Sequence, residues 1–370
     1  MFGTILISIV TLMHVYVFWR AASVPFIKSH IPIKIIIGAG LILWILFYLG
    51  RVYGHHRADT LAKVLEFIGM NWMGGLFLIF TCLIAMDLIT GFGLFLPHLA
   101  SKLRGLAIVI GIGLSVIALM QGLRPPVIEK FDVNLSELPN EMDNTVIIAI
   151  SDLHLGSLLG PRWLQARITQ IKRQNPDLVV LLGDIFEGHG QCGDKLLNVM
   201  NSLSAPLGVW AVYGNHEFHR RHNQSEALIN KAKFKVLRNC WTELTSGLIL
   251  AGVDDLTTIQ RRTGQVSHYI SKTLAGRPSG ATILLSHTPW ETDKAAKAGV
   301  GLMLCAHTHG GQIWPFDYLV KRRYPFLEGR YEVNGMTVIV SRGTGTWGPR
   351  MRLWRPGEIL RVTLHRKLNP

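Results

Sequence analysis

The sequence predicts an α/β domain preceded by an all-α, four-helix transmembrane anchor. Three observations carry this. Four long apolar stretches, 2–19, 33–49, 72–96 and 106–119, lie before residue 121. Beyond it, short runs at 146–150, 178–182, 209–213 and 283–285 are rich in Val, Ile and Leu and end on polar residues, the pattern of buried strands. Charge divides at the same place. Residues 1–144 hold 10 Lys+Arg and 8 Asp+Glu, a net of +2, whereas residues 145–370 hold 28 and 16, a net of +12.

The expected anchor occupies residues 1–120. A spanning helix needs about 20 mostly apolar residues, or roughly 17 at the short end, and it must be helical because hydrocarbon offers its backbone no water. The first and third stretches meet this length outright, the second barely, and the fourth if Gly105 and Gln121 lie near the interfaces. A secretory signal peptide fits less well, since no charged segment precedes the first run and three more candidate spans follow. Four spans would put Arg20, Lys28, Lys34, Lys102 and Arg104 on one side and Arg51, Arg57, Lys63, Arg124 and Lys130 on the other. Five against five gives no orientation. Cys82, Cys192, Cys240 and Cys305 show no disulfide framework and no zinc spacing, which leans toward a cytoplasmic catalytic domain. Asp87 lies within the third stretch, where a carboxylate is costly and is often functional. His14 and His55-His56 read as packing or surface groups.

Residues 121–144, with Pro125-Pro126, Pro139 and several acidic side chains, read as a linker that lifts the domain 145–370 off the membrane. Within that domain five blocks carry the chemistry: Asp152-Leu153-His154, Gly183-Asp184, Gly214-Asn215-His216-Glu217, Ser286-His287 and His307-Thr308-His309. Their polar residues fall at strand ends, where α/β sheets place their sites. Asp152 and His154, and likewise His307 and His309, would share a face by the alternation of extended backbone. Gly183 permits close backbone approach, and Asp184 has two oxygens with which to bridge two cations. Asn215 adds a carbonyl oxygen, and His287, His307 and His309 add imidazole nitrogens. An N/O ligand set without thiolate suits manganese, iron or zinc, with manganese favoured. Two such cations about 3.5–4 Å apart can hold a bridging hydroxide for in-line attack on a phosphate ester. His216, beside Asn215 and not needed as a ligand, is placed to assist the leaving group.

The text Ser151-Asp152-Leu153-His154-Leu155-Gly156, Gly183-Asp184, Gly214-Asn215-His216-Glu217, Ser286-His287 and Ala306-His307-Thr308-His309-Gly310-Gly311-Gln312 resembles the calcineurin-like metallophosphoesterases over roughly 146–364. The resemblance implies a four-layer αββα sandwich, with one metal held by Asp152, His154, Asp184 and His309 and the other by Asp184, Asn215, His287 and His307. Gly252-Val253-Asp254-Asp255 and Arg342-Gly343-Thr344-Gly345-Thr346-Trp347 are similar to a subgroup of membrane-associated bacterial phosphodiesterases typified by YkuE and YaeI. That likeness implies a phosphodiester or pyrophosphate substrate of the UDP-diacylglucosamine kind, in the bacterial plasma membrane. Glu187 stands where the subgroup carries Asp and Ala306 where it carries Gly; neither is expected to touch a ligand. Arg350, Arg352 and Arg355 could clamp substrate phosphates or rest on lipid headgroups.

The expected partners are therefore the bilayer and a phosphorylated lipid or nucleotide-linked lipid. Net positive charge favours a nuclease as a rival, but the spans and the lack of a basic-aromatic strand-binding stretch oppose it, and no nucleic acid is expected. A non-enzymatic scaffold with a residual metal site predicts loss of a ligand or of His216, and all are present.

Overall fold

The computed structural model describes residues 2–54, 57, 59–187, 194–218 and 222–367; His55, His56 and Cys192 lie outside them. The chain forms two compact units, one of Met1–Arg124 with Gly348–Trp354, the other of Pro125–Trp347 with Arg355–Pro370.

The first unit is helical: α1 (Phe2–Ala22), α2 (Pro25–His30), α3 (Ile33–Val52), α4 (Thr60–Ile89) and α5 (Pro97–Leu123). Among the described residues, α1, α3, α4 and α5 are long and apolar enough to cross a membrane. Two of them differ in extent from the apolar stretches. Helix α4 begins at Thr60 because Asp59 caps it, accepting from the Ala62 N–H at 3.0 Å. It stops at Ile89 because Gly91, Phe92 and Gly93 all take positive φ. Helix α5 starts at Pro97, whose missing N–H suits a first helical turn. Gly69 lets α3 and α4 pack closely, since a Cβ there would stand 2.6 Å from the Leu46 carbonyl oxygen.

Asp87 is fully buried in this unit and its charge is answered on three sides. Tyr16 donates to it at 2.5 Å, Arg104 Nε donates at 2.8 Å, and Arg20 Nε lies 2.6 Å away. Its role is to fasten α1, α4 and α5. His14 packs as expected, with Nε2 2.9 Å from the Gly40 carbonyl and its ring stacked on Phe18. Arg352 is 2% exposed, so its side chain is packed inside the protein, and its backbone N–H donates to the Ala118 carbonyl at 2.9 Å. Among the described residues, Cys82, Cys240 and Cys305 form no disulfide.

The second unit has, among the described residues, two six-stranded mixed sheets. The strands are β1 (Val127–Leu135), β2 (Val146–Ile150), β3 (Leu178–Leu181), β4 (Val209–Ala211), β5 (Lys235–Val236), β6 (Cys240–Thr245), β7 (Leu248–Val253), β8 (Ala281–Ser286), β9 (Leu302–Cys305), β10 (Gly329–Val333), β11 (Met336–Val340) and β12 (Glu358–Arg366). The orders are β1-β12-β2-β3-β4-β5 and β10-β11-β9-β8-β7-β6. Helices α6 (Pro161–Lys172), α7 (Asp194–Asn201), α8 (His222–Lys231), α9 (Leu256–Thr263), α10 (Tyr269–Thr273), α11 (Thr292–Lys297) and α12 (Phe316–Arg323) complete it.

Strand alternation builds the layers. Ile147, Ala149, Leu178 and Val180 of one sheet meet Leu250, Ile283, Leu285 and Leu304 of the other in the inner core. Ile148, Ile150, Val179 and Leu181 turn outward onto Leu164 and Ile168 of α6 and Leu196 of α7. Val253, Leu284, Met303 and Val340 turn outward onto Ile259 of α9, Ile270 of α10 and Ala295 of α11. The result is the expected αββα sandwich.

The stretch read as a linker, 121–144, is not one. It holds the end of α5 and the nine-residue β1, which pairs in parallel with β12 from Val127↔Glu358 to Leu135↔Arg366. Phe131, Val133 and Leu135 alternate toward the core, a period of two that the neighbouring prolines and acids mask in the sequence.

Candidate metal centre

The five blocks follow the C-terminal ends of β2, β3, β4, β8 and β9. Strands β2, β3 and β4 are parallel neighbours in one sheet, and β8 and β9 in the other. Their ends therefore point the same way at the rim of the sandwich. Among the described residues, ligand atoms come within 4.8 Å of one another in three groups: Asp152, His154 and His309; His154, Asp184 and His216; and Asp184, His287 and His307. Asp184 joins the last two groups. Individual approaches are close: His154 Nε2 to His309 Nε2 3.1 Å, His309 Nε2 to Asp152 Oδ1 3.4 Å, His287 Nε2 to Asp184 Oδ2 3.4 Å, and His307 Nδ1 to His287 Nε2 3.1 Å.

Extended alternation does not bring them together, contrary to expectation. The strands end at Ile150 and Cys305, and Asp152, His154, Asp184, His307 and His309 all take positive φ between 43° and 75°. Asp, Asn and His are the non-glycine residues that best tolerate this region, and such backbone clusters at functional sites. His307 and His309 consequently serve different groups instead of sharing a face. Gly183 and Gly214 let two of the loops touch. A Cβ on Gly183 would be 2.5 Å from the Gly214 nitrogen, and one on Gly214 would strike the Asp184 carboxylate.

Backbone donors hold the loops in place. Asp152 N–H donates to Gly183 O and His154 N–H to Asp184 O, each at 3.0 Å. The segment beginning at Arg342 grips the first loop, with Thr344 N–H on Ser151 O and Gly345 N–H on Asp152 O. Glu217 is fully buried and accepts from the N–H groups of Asp184 (2.8 Å), Ile185 (2.8 Å), Phe186 (3.3 Å) and Gly214 (2.8 Å). Burial, followed by the nearby Asp184 charge, lifts its pKa to about 7.

Glu187 overturns an expectation. Its Oε2 lies 2.5 Å from His154 Nδ1 and 3.1 Å from His216 Nδ1. It therefore touches an expected ligand after all, because the longer Glu side chain reaches back from three residues beyond Asp184. Burial would lower the His216 pKa, but the Glu187 and Asp184 charges outweigh it and hold the imidazole protonated up to about 10. Burial would likewise raise the pKa of Asp184, and His287 and His216 reverse this and hold it well below the usual carboxylate range. Asp152 behaves oppositely, since burial raises its carboxyl pKa. His287 Nδ1 is 2.7 Å from the Leu182 carbonyl, which directs Nε2 to Asp184. His307 Nε2 meets the Tyr324 hydroxyl at 2.8 Å. Tyr324 carried no sequence signal, whereas Glu217 sat in a quoted block without an assigned part. Arg355 does not stand open for a phosphate; it is engaged by Asp317 at 3.0 Å and Glu328 at 2.7 Å.

Parallel strand ends on two sheets that gather Asp and His side chains in groups joined by one carboxylate define a metallophosphoesterase. Residues 145–311 match the calcineurin-like phosphoesterase family. An uncharacterized metallophosphoesterase of Campylobacter jejuni is 32% identical over 264 residues, covering 70% of this chain and 69% of that protein. A bovine transmembrane protein with metallophosphoesterase domain is 31% identical over 274 residues, covering 70% and 62%. The uncharacterized metallophosphoesterase YkuE of Bacillus subtilis is 30% identical over 256 residues, covering 65% and 87%. The chain belongs to the calcineurin-like phosphoesterase family, and among the described residues it carries four N-terminal helices long and apolar enough to cross a membrane.

Proposed function

We propose that the chain is a membrane-anchored dimetal phosphoesterase that hydrolyses a phosphodiester or pyrophosphate bond in a lipid or nucleotide-linked lipid. One observation supports the metals above all. Both carboxylate oxygens of Asp152 and the Oδ1 of Asn215 are buried and, among the described residues, accept no hydrogen bond, which is costly unless a cation satisfies them. The residues thus fit the group. Asp152, His154, Asp184 and His309 would hold one cation and Asp184, Asn215, His287 and His307 the other, with manganese favoured over iron and zinc. When bound, two such ions supply Lewis-acid charge against the phosphoryl group and acidify water.

The protein's own side chains do the rest. Glu187 ties up His216 Nδ1, leaving Nε2, 3.9 Å from Asp184, to give a proton to the leaving oxygen. Glu217 fixes the Asp184 and Asn215 loops against each other. Anchoring favours a substrate that lives in the bilayer, in the bacterial plasma membrane with the domain on the cytoplasmic face; protease protection in sealed vesicles tests that side.

The test of the reaction is hydrolysis of a chromogenic phosphodiester by detergent-purified protein with added manganese, alongside a panel of membrane lipids and lipid precursors. Asp184→Ala and Asn215→Ala should abolish turnover. Undiminished activity in either variant overturns the metal assignment, and cleavage of soluble diesters but of no lipid overturns the substrate class.

A further inference from the structure

Helix α12 begins four residues after Gln312, the end of the last motif, and both its ends are tied to the metal-centre loop. At the start, Asp317 is buried and accepts from Arg355 at 3.0 Å, while Arg355 also donates to the Gly310 carbonyl at 3.1 Å. Just past the end, Tyr324 meets His307. Asp317 is the one buried residue of the helix, and the side opposite it is out in solvent. Tyr318 is 63% exposed, Leu319 60% and Phe316 43%, and the preceding Trp314 is 38% exposed. The last turn adds Lys321, Arg322 and Arg323, all exposed. At 100° per residue, Tyr318, Leu319 and Arg322 share the outward side, exposed Lys321 stands one turn beyond Tyr318, and Arg323 lies over the Trp290 ring.

From this face we propose that α12 is an interfacial helix that seats on the anionic surface of the bilayer, with Trp314, Phe316, Tyr318 and Leu319 at the headgroup–acyl boundary and Lys321 and Arg322 on lipid phosphates. Contiguous exposed apolar groups on a soluble surface mark an interaction site. Apolar and aromatic residues beside a basic turn match an anionic lipid surface in particular, with tyrosine and tryptophan at the level they prefer. A bilayer is also constantly at hand, because the same chain carries four helices able to cross one. Since α12 is fixed to the His307 loop at both ends, its seating would hold the mouth of the metal centre at headgroup level. The seating does not depend on the phosphoesterase reading.

The test places an environment-sensitive fluorescent amino acid at position 319 of the full chain, reconstituted in vesicles of phosphatidylcholine and phosphatidylglycerol, with the same probe at position 141 as the reference. Glu141 is exposed and precedes β2, at the end of the strand away from the centre. The expected result is a blue-shifted 319 probe quenched by shallow nitroxide lipids and shielded from aqueous iodide, and the reverse at 141. Lys321→Glu with Arg322→Glu should lower the lipid quenching several-fold. A 319 probe as open to iodide as the 141 probe, or one shielded from iodide and nitroxide lipid alike because another protein covers it, overturns the proposal. Lipid quenching untouched by the charge reversal overturns the anionic-lipid part. No outcome involves turnover, so failure here is distinct from failure of the proposed reaction.

Discussion

Asp87 and Asp152 are both fully buried aspartates, one in the helical unit and one in the sandwich, and their surroundings are opposite. Asp87 meets a phenol and two guanidinium groups. Among the described residues neither oxygen of Asp152 accepts a hydrogen bond, and His309 Nε2 stands 3.4 Å from Oδ1. A saturated buried carboxylate is a fastening; an unsaturated one, amid histidines, is a place kept for a cation. Burial of a carboxylate is thus uninformative by itself, and the donor census around it carries the meaning.

Substitution at the two positions should separate them sharply. Asp87→Ala leaves Arg20 and Arg104 buried without their common partner, an effect of about 3–5 kcal/mol, read as a large fall in the thermal midpoint of the detergent-solubilised protein with metal content unchanged. Asp152→Asn should do the reverse. Because burial raises the carboxyl pKa, stability from the protonated form is present below the unfolded value of about 3.9 and is lost as pH rises through the raised folded value. Metal-free Asp152→Asn is therefore expected to unfold at a higher temperature than metal-free wild type in mildly alkaline buffer, and at a lower one once manganese is added. If both substitutions destabilise equally with and without metal, the distinction between the two aspartates fails.

Smaller effects sharpen the sandwich side of the comparison. Glu187→Gln removes a charge that holds His216 protonated up to about 10, so the alkaline limb of the pH–kcat profile should move to lower pH. His154 also loses its carboxylate partner, and calorimetric titration should show metal affinity weakened by about 10–100-fold. An unmoved limb would remove Glu187 from the proton path. Tyr324→Phe deletes one hydrogen bond to His307, worth ~1 kcal/mol, or roughly fivefold in affinity for one of two cations. Equal weakening of both ions would contradict the separation of His307 from His309.

Much of this was legible in the sequence. The strands that carry the site are β-branched runs that announce themselves, and His, Asp and Asn at their ends mark the centre. What escaped did so for physical reasons. The convergence of Asp152 with His154 depends on left-handed backbone at both residues, which no apolar period encodes. Strand β1 was hidden because one of its faces is polar and prolines precede it. Tyr324 reaches His307 only through the tertiary placement of α12, and the part played by Glu187 depends on the reach of its side chain. Helix α4 outran its apolar stretch because its first turns are amphipathic, so the cap at Asp59 is a better marker of its start than hydropathy.

The central claim is that Asp184 is shared by two cations. It is tested most directly by counting manganese ions bound per chain in the purified full-length protein and in Asp184→Ala, by elemental analysis after equilibrium dialysis. Two per chain in the wild type, falling to one or none in the variant, is the predicted result. Two in both, or fewer than two in the wild type at saturating manganese, would contradict it.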